Sequence, residues 1–337
     1  MPDSNTAIDL NGKTVLVTGG TGSFGRQFST TLLDRYKLRM LIILSRDEHK
    51  QYDMQQESAF AGREELRYFI GDVRDVDRLR MAMRDVDCVV HAAALKHVPA
   101  AEYNPFECIK TNIHGAENVV NAALRTGVRK VLALSTDKAA NPINLYGATK
   151  LCADKLFVAA NAYVGTQDTR FSTVRYGNVF GSRGSVVPFF MKCREVGKIP
   201  ITDERMTRFW ITLEQGVRFV IRCLDLMEGG EVFVPKIPSM KITDLAEAIA
   251  PGCPHETVGI RPGEKLHEVM ISYDNARQTL EYDDYYVLQP THRWWNQGDF
   301  QTRYGGKPCV DGFEYRSDNN DAWLTVEDLR SMVEQMS

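Results

Sequence analysis

The chain has 337 residues, 43% hydrophobic and 25% charged, with a formal net charge of -3 and a pI near 6.2. That is the composition of a soluble globular protein with room for one large domain and a lobe, and it excludes the basic field needed to bind nucleic acid or an anionic membrane. No apolar run nears the roughly 18 residues of a membrane span, seven cysteines without CxxC spacing suit a reducing compartment, and seven histidines without HxxxH spacing give no metal site, so a cytoplasmic protein is expected.

The first residues, MPDSNTAIDLNGK, lack the basic and apolar regions of a signal peptide. KTVLVTGGTGSFGRQFSTTLLDRY then passes from a β-branched run through a glycine turn into a helical pattern. LRMLIILSRDE and LRYFIGDVRD predict the second and third strands, DRLRMAMRDV a helix, and DCVVHAAA the fourth strand. ECIKTNIHGAENVVNAALRTG has apolar residues at helical spacing, RKVLALST predicts the fifth strand, and RFSTVRYGNV another. Strands alternating with helices of this length predict an α/β fold, a Rossmann-type doubly wound parallel sheet.

Beyond residue 180 the pattern loosens. ITLEQGVRFVIRCLDLMEGG predicts a helix ending at Gly-Gly, EVFVP a strand, and KITDLAEAIA a helix with Thr243 as its N-cap. The domain expectation is a dinucleotide-binding unit at 1–179 to which 205–235 return, with a smaller C-terminal substrate lobe formed by 180–204 and 236–290. Residues 291–337 form an extension, in which Trp294 and Trp295 read as packing or subunit contact; the stretch 273–312 carries the least motif support.

Gly19, Gly22 and Gly25 directly follow a strand and open a helix, where a tight turn and free helix N–H groups suit a pyrophosphate. The other reading is strand–helix packing alone. Thr21, Ser23 and Phe24 complete this loop. The second strand ends in Ser45-Arg46, where NAD-binding sheets place an acid for the ribose 2′-hydroxyl. A guanidinium there favours the 2′-phosphate of NADP, while Asp47 leaves NAD open. Asp72 and Val73 suit an adenine contact, although Asp72 could instead cap the next helix. Ala92, Lys96 and Val179 fall at strand ends on the cofactor side.

STDKAANPINLYGATK, residues 135–150, puts Tyr146 and Lys150 on one helical face. A phenol near its ordinary pKa of about 10 is a poor base, and a neighbouring ammonium stabilises its anion. That pair serves a dehydrogenase. Adjacent Asp137 and Lys138 are additional and can shift each other's ionisation, as site residues do, although a solvated ion pair is the plain alternative.

With these motifs and with HAAA at 91–94, Asn112 and RYGNV, the chain resembles the extended short-chain dehydrogenase/reductase family over nearly its whole length. Sugar-nucleotide 4,6-dehydratases of that family carry Thr-Asp-Glu where this chain has Thr136-Asp137-Lys138. The stretch around Tyr146, with AALKHVPAAEYNPFE, IPITDERMTRFW, IRPGEKLHEVM and YRSDNNDAWL, is similar to the inverting UDP-N-acetylglucosamine 4,6-dehydratases of pseudaminic acid biosynthesis. The resemblance implies recycled NADP, UDP-N-acetylglucosamine as substrate and a homo-hexamer. It implies Tyr146, with Lys150, as the base for the C4 hydroxyl, Lys138 as a neutral base at C5, and protonated Asp137 as the acid that releases the C6 hydroxyl, with Thr136 beside them. Lys96, Ser135, Thr136, Asn178, Arg205, Arg208, Arg261 and Glu264 are then substrate contacts, the arginines for the diphosphate. A retaining 4,6-dehydratase or a 4-epimerase on the same fold is the alternative.

Overall fold

β1 (Thr14–Thr18) is buried along its whole length, as a parallel strand covered on both faces must be. β2 (Met40–Ser45), β3 (Leu66–Ile70), β4 (Cys88–His91), β5 (Lys130–Thr136) and β6 (Arg170–Tyr176) join it in the order β3-β2-β1-β4-β5-β6, all parallel. The order reverses between β1 and β4. In such sheets a crevice opens at the carboxyl ends of the strands at this switch point, and it is here that the glycine loop after β1 lies. The computed structural model describes residues 8–182, 185–290, 301 and 304–335; Trp294 and Trp295 lie outside them.

The strand Val232–Pro235 pairs parallel to β6. Tyr285–Leu288, Thr279–Glu281 and Lys307–Pro308 then extend the same sheet antiparallel, to ten strands. Residues 279–288, expected in the substrate lobe, therefore belong to the large sheet, where they cover an edge that Val232–Pro235 would leave bare. Thr207–Ile211, expected with the dinucleotide unit, lies instead between Asn178–Val179 and Ser239–Lys241 in a three-stranded sheet. A second core gathers beside it around Trp210, Phe180, Met240 and Leu245.

The helix Ile242–Ile249 is capped by Lys241, not by Thr243. The strand Ser239–Lys241 runs straight into the helix, so its last residue takes the cap and Thr243 falls in the first turn. Among the described residues no helix is long and apolar enough to cross a membrane, no acidic or sulfur cluster could hold a metal ion, and all seven cysteines are free.

Candidate active site

The glycine loop is shaped by close approach. Gly19 has φ +67°, and a Cβ there would lie 2.9 Å from the backbone of Ala93. At Gly25 a Cβ would lie 2.5 Å from the backbone of Gly20. Helix α1 (Ser23–Arg35) starts after Gly22 with no side-chain cap and no acid in its first turn, leaving its positive end available to an anion. A cleft of about 730 Å³ begins at this loop and is lined there by Gly19, Thr21, Gly22, Ser23, Phe24 and Gly25.

Ser45 and Arg46 line the cleft at the end of β2. Ser45 is buried, and its hydroxyl accepts a 3.0 Å hydrogen bond from Gln51. Asp47 also faces the cleft, but its carboxylate caps helix α2 (Glu48–Gln56), accepting the Lys50 N–H at 3.0 Å, and it pairs with the Lys50 ammonium at 2.8 Å. Val73 reaches the lining. Asp72 does not: it is held by the Arg74 side chain at 2.7 Å, with Arg46 3.7 Å away, and the helix that follows is capped by Asp75.

Ala92, Lys96, Asn178 and Val179 line the middle of the cleft. The loop bearing Lys96 is fixed by Asn112, whose amide accepts from the Leu95 N–H at 2.8 Å and donates to the Leu95 carbonyl at 2.9 Å. Asn112 sits in a π-helical turn, Lys110–His114, a device that commonly places a functional side chain. The buried Oδ1 of Asn178 has no partner among the described residues.

At the far end β5 runs into a 3₁₀ turn, Asp137–Ala139, and from there to the helix Leu145–Ala160. Ser135, Thr136, Asp137, Lys138, Tyr146 and Lys150 all face the cleft. Turn and helix touch at Gly147, where a Cβ would sit 2.2 Å from the Lys138 carbonyl oxygen, so the residue after Tyr146 must be small. The Lys138 ammonium lies 3.0 Å from Asp137 Oδ1, and the Thr136 hydroxyl donates to that same oxygen at 2.9 Å. Asp137 Oδ2 is buried and has no partner among the described residues.

Burial, and then the charge of Glu268, push the Asp137 carboxyl up, against the pull of Lys138 and Thr136. Burial opposes the Lys138 ammonium, but Asp137 and Glu268 outweigh it and its pKa is raised. Lys138 therefore rests as a cation, not as the neutral amine expected of a base. Burial pushes the Tyr146 phenol up to about 12, with Lys138 and Thr136 working the other way. Lys150, expected to stabilise the phenolate, donates one of its three N–H groups to the Leu134 carbonyl at 2.6 Å. Burial lowers its pKa, while the charge of Asp154 raises it.

The three arginines expected at the diphosphate do not line this cleft. Arg205 is 72% exposed and forks onto Asp203. Arg208 is buried, and its guanidinium is taken by the carbonyls of Thr207, Lys265 and Leu266 and by Glu264 at 3.5 Å. Arg261 is exposed. These three and Glu264 are absent from the cleft lining. Loop carbonyls folded against a guanidinium can take its donors, and sequence does not reveal where they will lie.

Three buried residues, Glu268, Asp154 and Arg175, were not foreseen. Glu268 pairs with Lys138 at 3.0 Å. Asp154 accepts from Ser135 at 2.8 Å and from Arg175 at 3.1 Å. Asp154 was within reach of sequence reasoning, since it follows Lys150 by four residues and so shares its helical face.

A family model described as "Polysaccharide biosynthesis protein" matches residues 15–290. An inverting UDP-N-acetylglucosamine 4,6-dehydratase of Campylobacter jejuni (serotype O:23/36, strain 81-176) is 57% identical over 330 residues, 96% of this chain and 98% of that protein. The chain belongs to this family, within the extended short-chain dehydrogenases/reductases. The crystal structure of Pen from Bacillus thuringiensis matches with a TM-score of 0.88 at 36% identity, over 97% of this chain and 98% of that one. DesIV, a dTDP-glucose 4,6-dehydratase from Streptomyces venezuelae solved with NAD and TYD bound, shares the fold with a TM-score of 0.68 at 21% identity, over 95% and 96% of the two chains.

Proposed function

We propose that the chain is a C5-inverting UDP-N-acetylglucosamine 4,6-dehydratase. The observation that carries the reading is the buried Asp137, with its unpartnered carboxyl oxygen among the described residues, paired with the half-buried Lys138 on the cleft beside Tyr146 and Lys150. Oxidation and reduction at C4 need only the tyrosine and lysine. Loss of water needs an acid and a base as well.

The glycine cradle fits a dinucleotide: two of its glycines leave no room for a side chain, and the uncapped end of α1 faces the gap. Gly19, Gly22, Gly25 and the loop between them would hold the pyrophosphate, and Lys150 the nicotinamide ribose. A nicotinamide dinucleotide held there would supply the oxidant for C4 and the reductant for C6. Tyr146 rests as a phenol and first gives its proton to solvent; the phenolate, favoured by the positive field of Lys138, then takes the C4 hydroxyl proton. The ketone so formed acidifies the C5–H bond. Lys138 becomes a base by passing its proton across the 3.0 Å bond to Asp137, which leaves an amine beside a carboxylic acid. The amine takes the C5 proton, the C6–O bond breaks, and Asp137 protonates the departing hydroxide, so one water leaves. Hydride return to C6 leaves an enolate, and a solvent proton taken up on its opposite face at C5 inverts that centre and leaves Tyr146, Lys138 and Asp137 as they began.

The deciding experiment is NMR of the product from UDP-N-acetylglucosamine in D2O. A 4-keto-6-deoxy sugar with deuterium at an inverted C5 supports the reading. Unchanged C5 configuration would make the enzyme a retaining dehydratase, and UDP-N-acetylgalactosamine a 4-epimerase.

NADP is the cofactor we propose, on Arg46. Asp47, the acid that could serve the NAD ribose, is engaged as a helix cap and with Lys50, whereas the Arg46 side chain is half exposed on the cleft wall. Arg46→Ala should weaken NADP+ binding about tenfold to a hundredfold, the weight of a hydrogen bond to a charged group, and barely change NAD+ binding. Calorimetric titration of both cofactors tests this, and equal losses would argue for NAD. The resemblance also supports a homo-hexamer, testable by light scattering, and a place at the first step of pseudaminic acid biosynthesis.

A further inference from the structure

Lys138 lies between two carboxylates, and the reaction uses one of them. We infer that Glu268 is a positioning residue for the elimination step: its buried carboxylate holds the Lys138 amine against Asp137 and sets the pH range in which that pair shares a single proton. This rests on the dehydratase reading.

Geometry carries the inference. Glu268 is 1% exposed, and its Oε1 is 3.0 Å from Lys138 Nζ, the same distance as Asp137 Oδ1 on the other side. Glu268 is itself held rigidly. Its N–H donates to the Ser317 hydroxyl at 2.9 Å, the Ser317 N–H donates to its carbonyl at 2.9 Å, and the Ser317 hydroxyl lies 2.7 Å from that of Thr207. The surrounding loop is bound to the catalytic turn at two further points, Lys265 Nζ to the Ala140 carbonyl at 2.6 Å and Asn144 Nδ2 to the Gly263 carbonyl at 2.7 Å. Lys138 is thus aimed by a segment about 130 residues away in sequence.

A purely structural carboxylate would satisfy both oxygens, because a buried unpaired one is costly. Glu268 Oε2 is buried and has no partner among the described residues. Arg208 is the weaker of its two cationic partners. Arg208 Nε is 3.8 Å away, and that guanidinium already has three carbonyls and Glu264. The charged groups facing Glu268 are Lys138 from the catalytic turn, Arg208 from the strand Thr207–Ile211, Lys265 from its own loop and Asp137 across the lysine. Burial works against the Glu268 charge, but Lys138 and Arg208 hold its carboxyl below the usual range. Its negative charge in turn raises both Lys138 and Asp137.

The sign of the test follows. The active pair carries one proton, so rate falls when Asp137 gains a second in acid and when the pair loses its last in alkali. Glu268→Gln keeps the shape and removes the charge, which lowers both ionisations. The kcat/KM profile should move to lower pH on both limbs. At the wild-type optimum kcat should fall about tenfold to a hundredfold, as for loss of a charged hydrogen bond, with KM within about twofold. Glu268→Asp keeps the charge and withdraws it, so its limbs should stay near those of the wild type while kcat drops. This second variant also decides the matter if the glutamine form does not fold. Fixed limbs in Glu268→Gln, or displaced limbs in Glu268→Asp, would overturn the inference. A wild-type enzyme forming no 4-keto-6-deoxy sugar would instead remove the dehydratase reading and this inference with it.

Discussion

Asp137→Asn is expected to lower dehydration by about a hundredfold to ten-thousandfold, the range for loss of a positioned general acid. One substitution disables two steps. The amide has no proton to give the departing C6 hydroxide. It also cannot receive the Lys138 proton, so the lysine stays a cation beside Glu268 and cannot attack the C5–H bond. The amide oxygen can still accept from Thr136 and Lys138, which keeps the turn in place. Stability should therefore change little while turnover collapses. The measurement is formation of the 4-keto-6-deoxy sugar by NMR, with a thermal melt to verify folding.

The same variant separates the two chemistries available on this fold. Tyr146 and Lys150 are untouched, so an enzyme that only oxidises and reduces C4 would keep most of its rate. Loss of 4-keto product with the melt unchanged assigns the acid to Asp137. Persistence of a UDP-N-acetylgalactosamine product at the wild-type rate would make the chain an epimerase and leave the Asp137–Lys138 pair structural.

What could be seen in sequence was whatever the backbone period enforces. Gly19, Gly22 and Gly25 span one turn and the start of the helix it opens, and Tyr146 and Lys150 lie on one helical face, so local geometry alone predicts their neighbourhood. The adjacent Asp137 and Lys138 were readable for the same reason. The ionisation of Lys138 was not, because it depends on Glu268, brought in by a lobe segment from far along the chain. Arg208 fits a phosphate by residue type, yet it bonds the carbonyls of Lys265 and Leu266, a choice made by tertiary packing. Thr243 has the right chemistry for a cap and loses the position to Lys241, where the extended backbone of the preceding strand ends.

Asp154→Ala is expected to destabilise the fold by about 3–5 kcal/mol, because it strands a buried charge. Asp154 and Arg175 have side chains only 5% and 4% exposed and meet at 3.1 Å. Asp154 joins three elements: its own helix, β5 through the Ser135 hydroxyl, and β6 through Arg175. Arg175 goes on to the Met270 carbonyl at 2.8 Å, two residues past Glu268. With an unfolding entropy near 0.7 kcal/mol/K for a chain of this length, the melting midpoint should drop by about 4–7 °C. Replacing both partners removes the stranded charge, so Asp154→Ala with Arg175→Met should recover part of that loss. Activity should not return with stability. The charge of Asp154 helps keep Lys150 protonated against burial, and the double variant still lacks it. A double variant no more stable than Asp154→Ala would mean that the cost lies in Ser135 or in the packing, not in the stranded guanidinium.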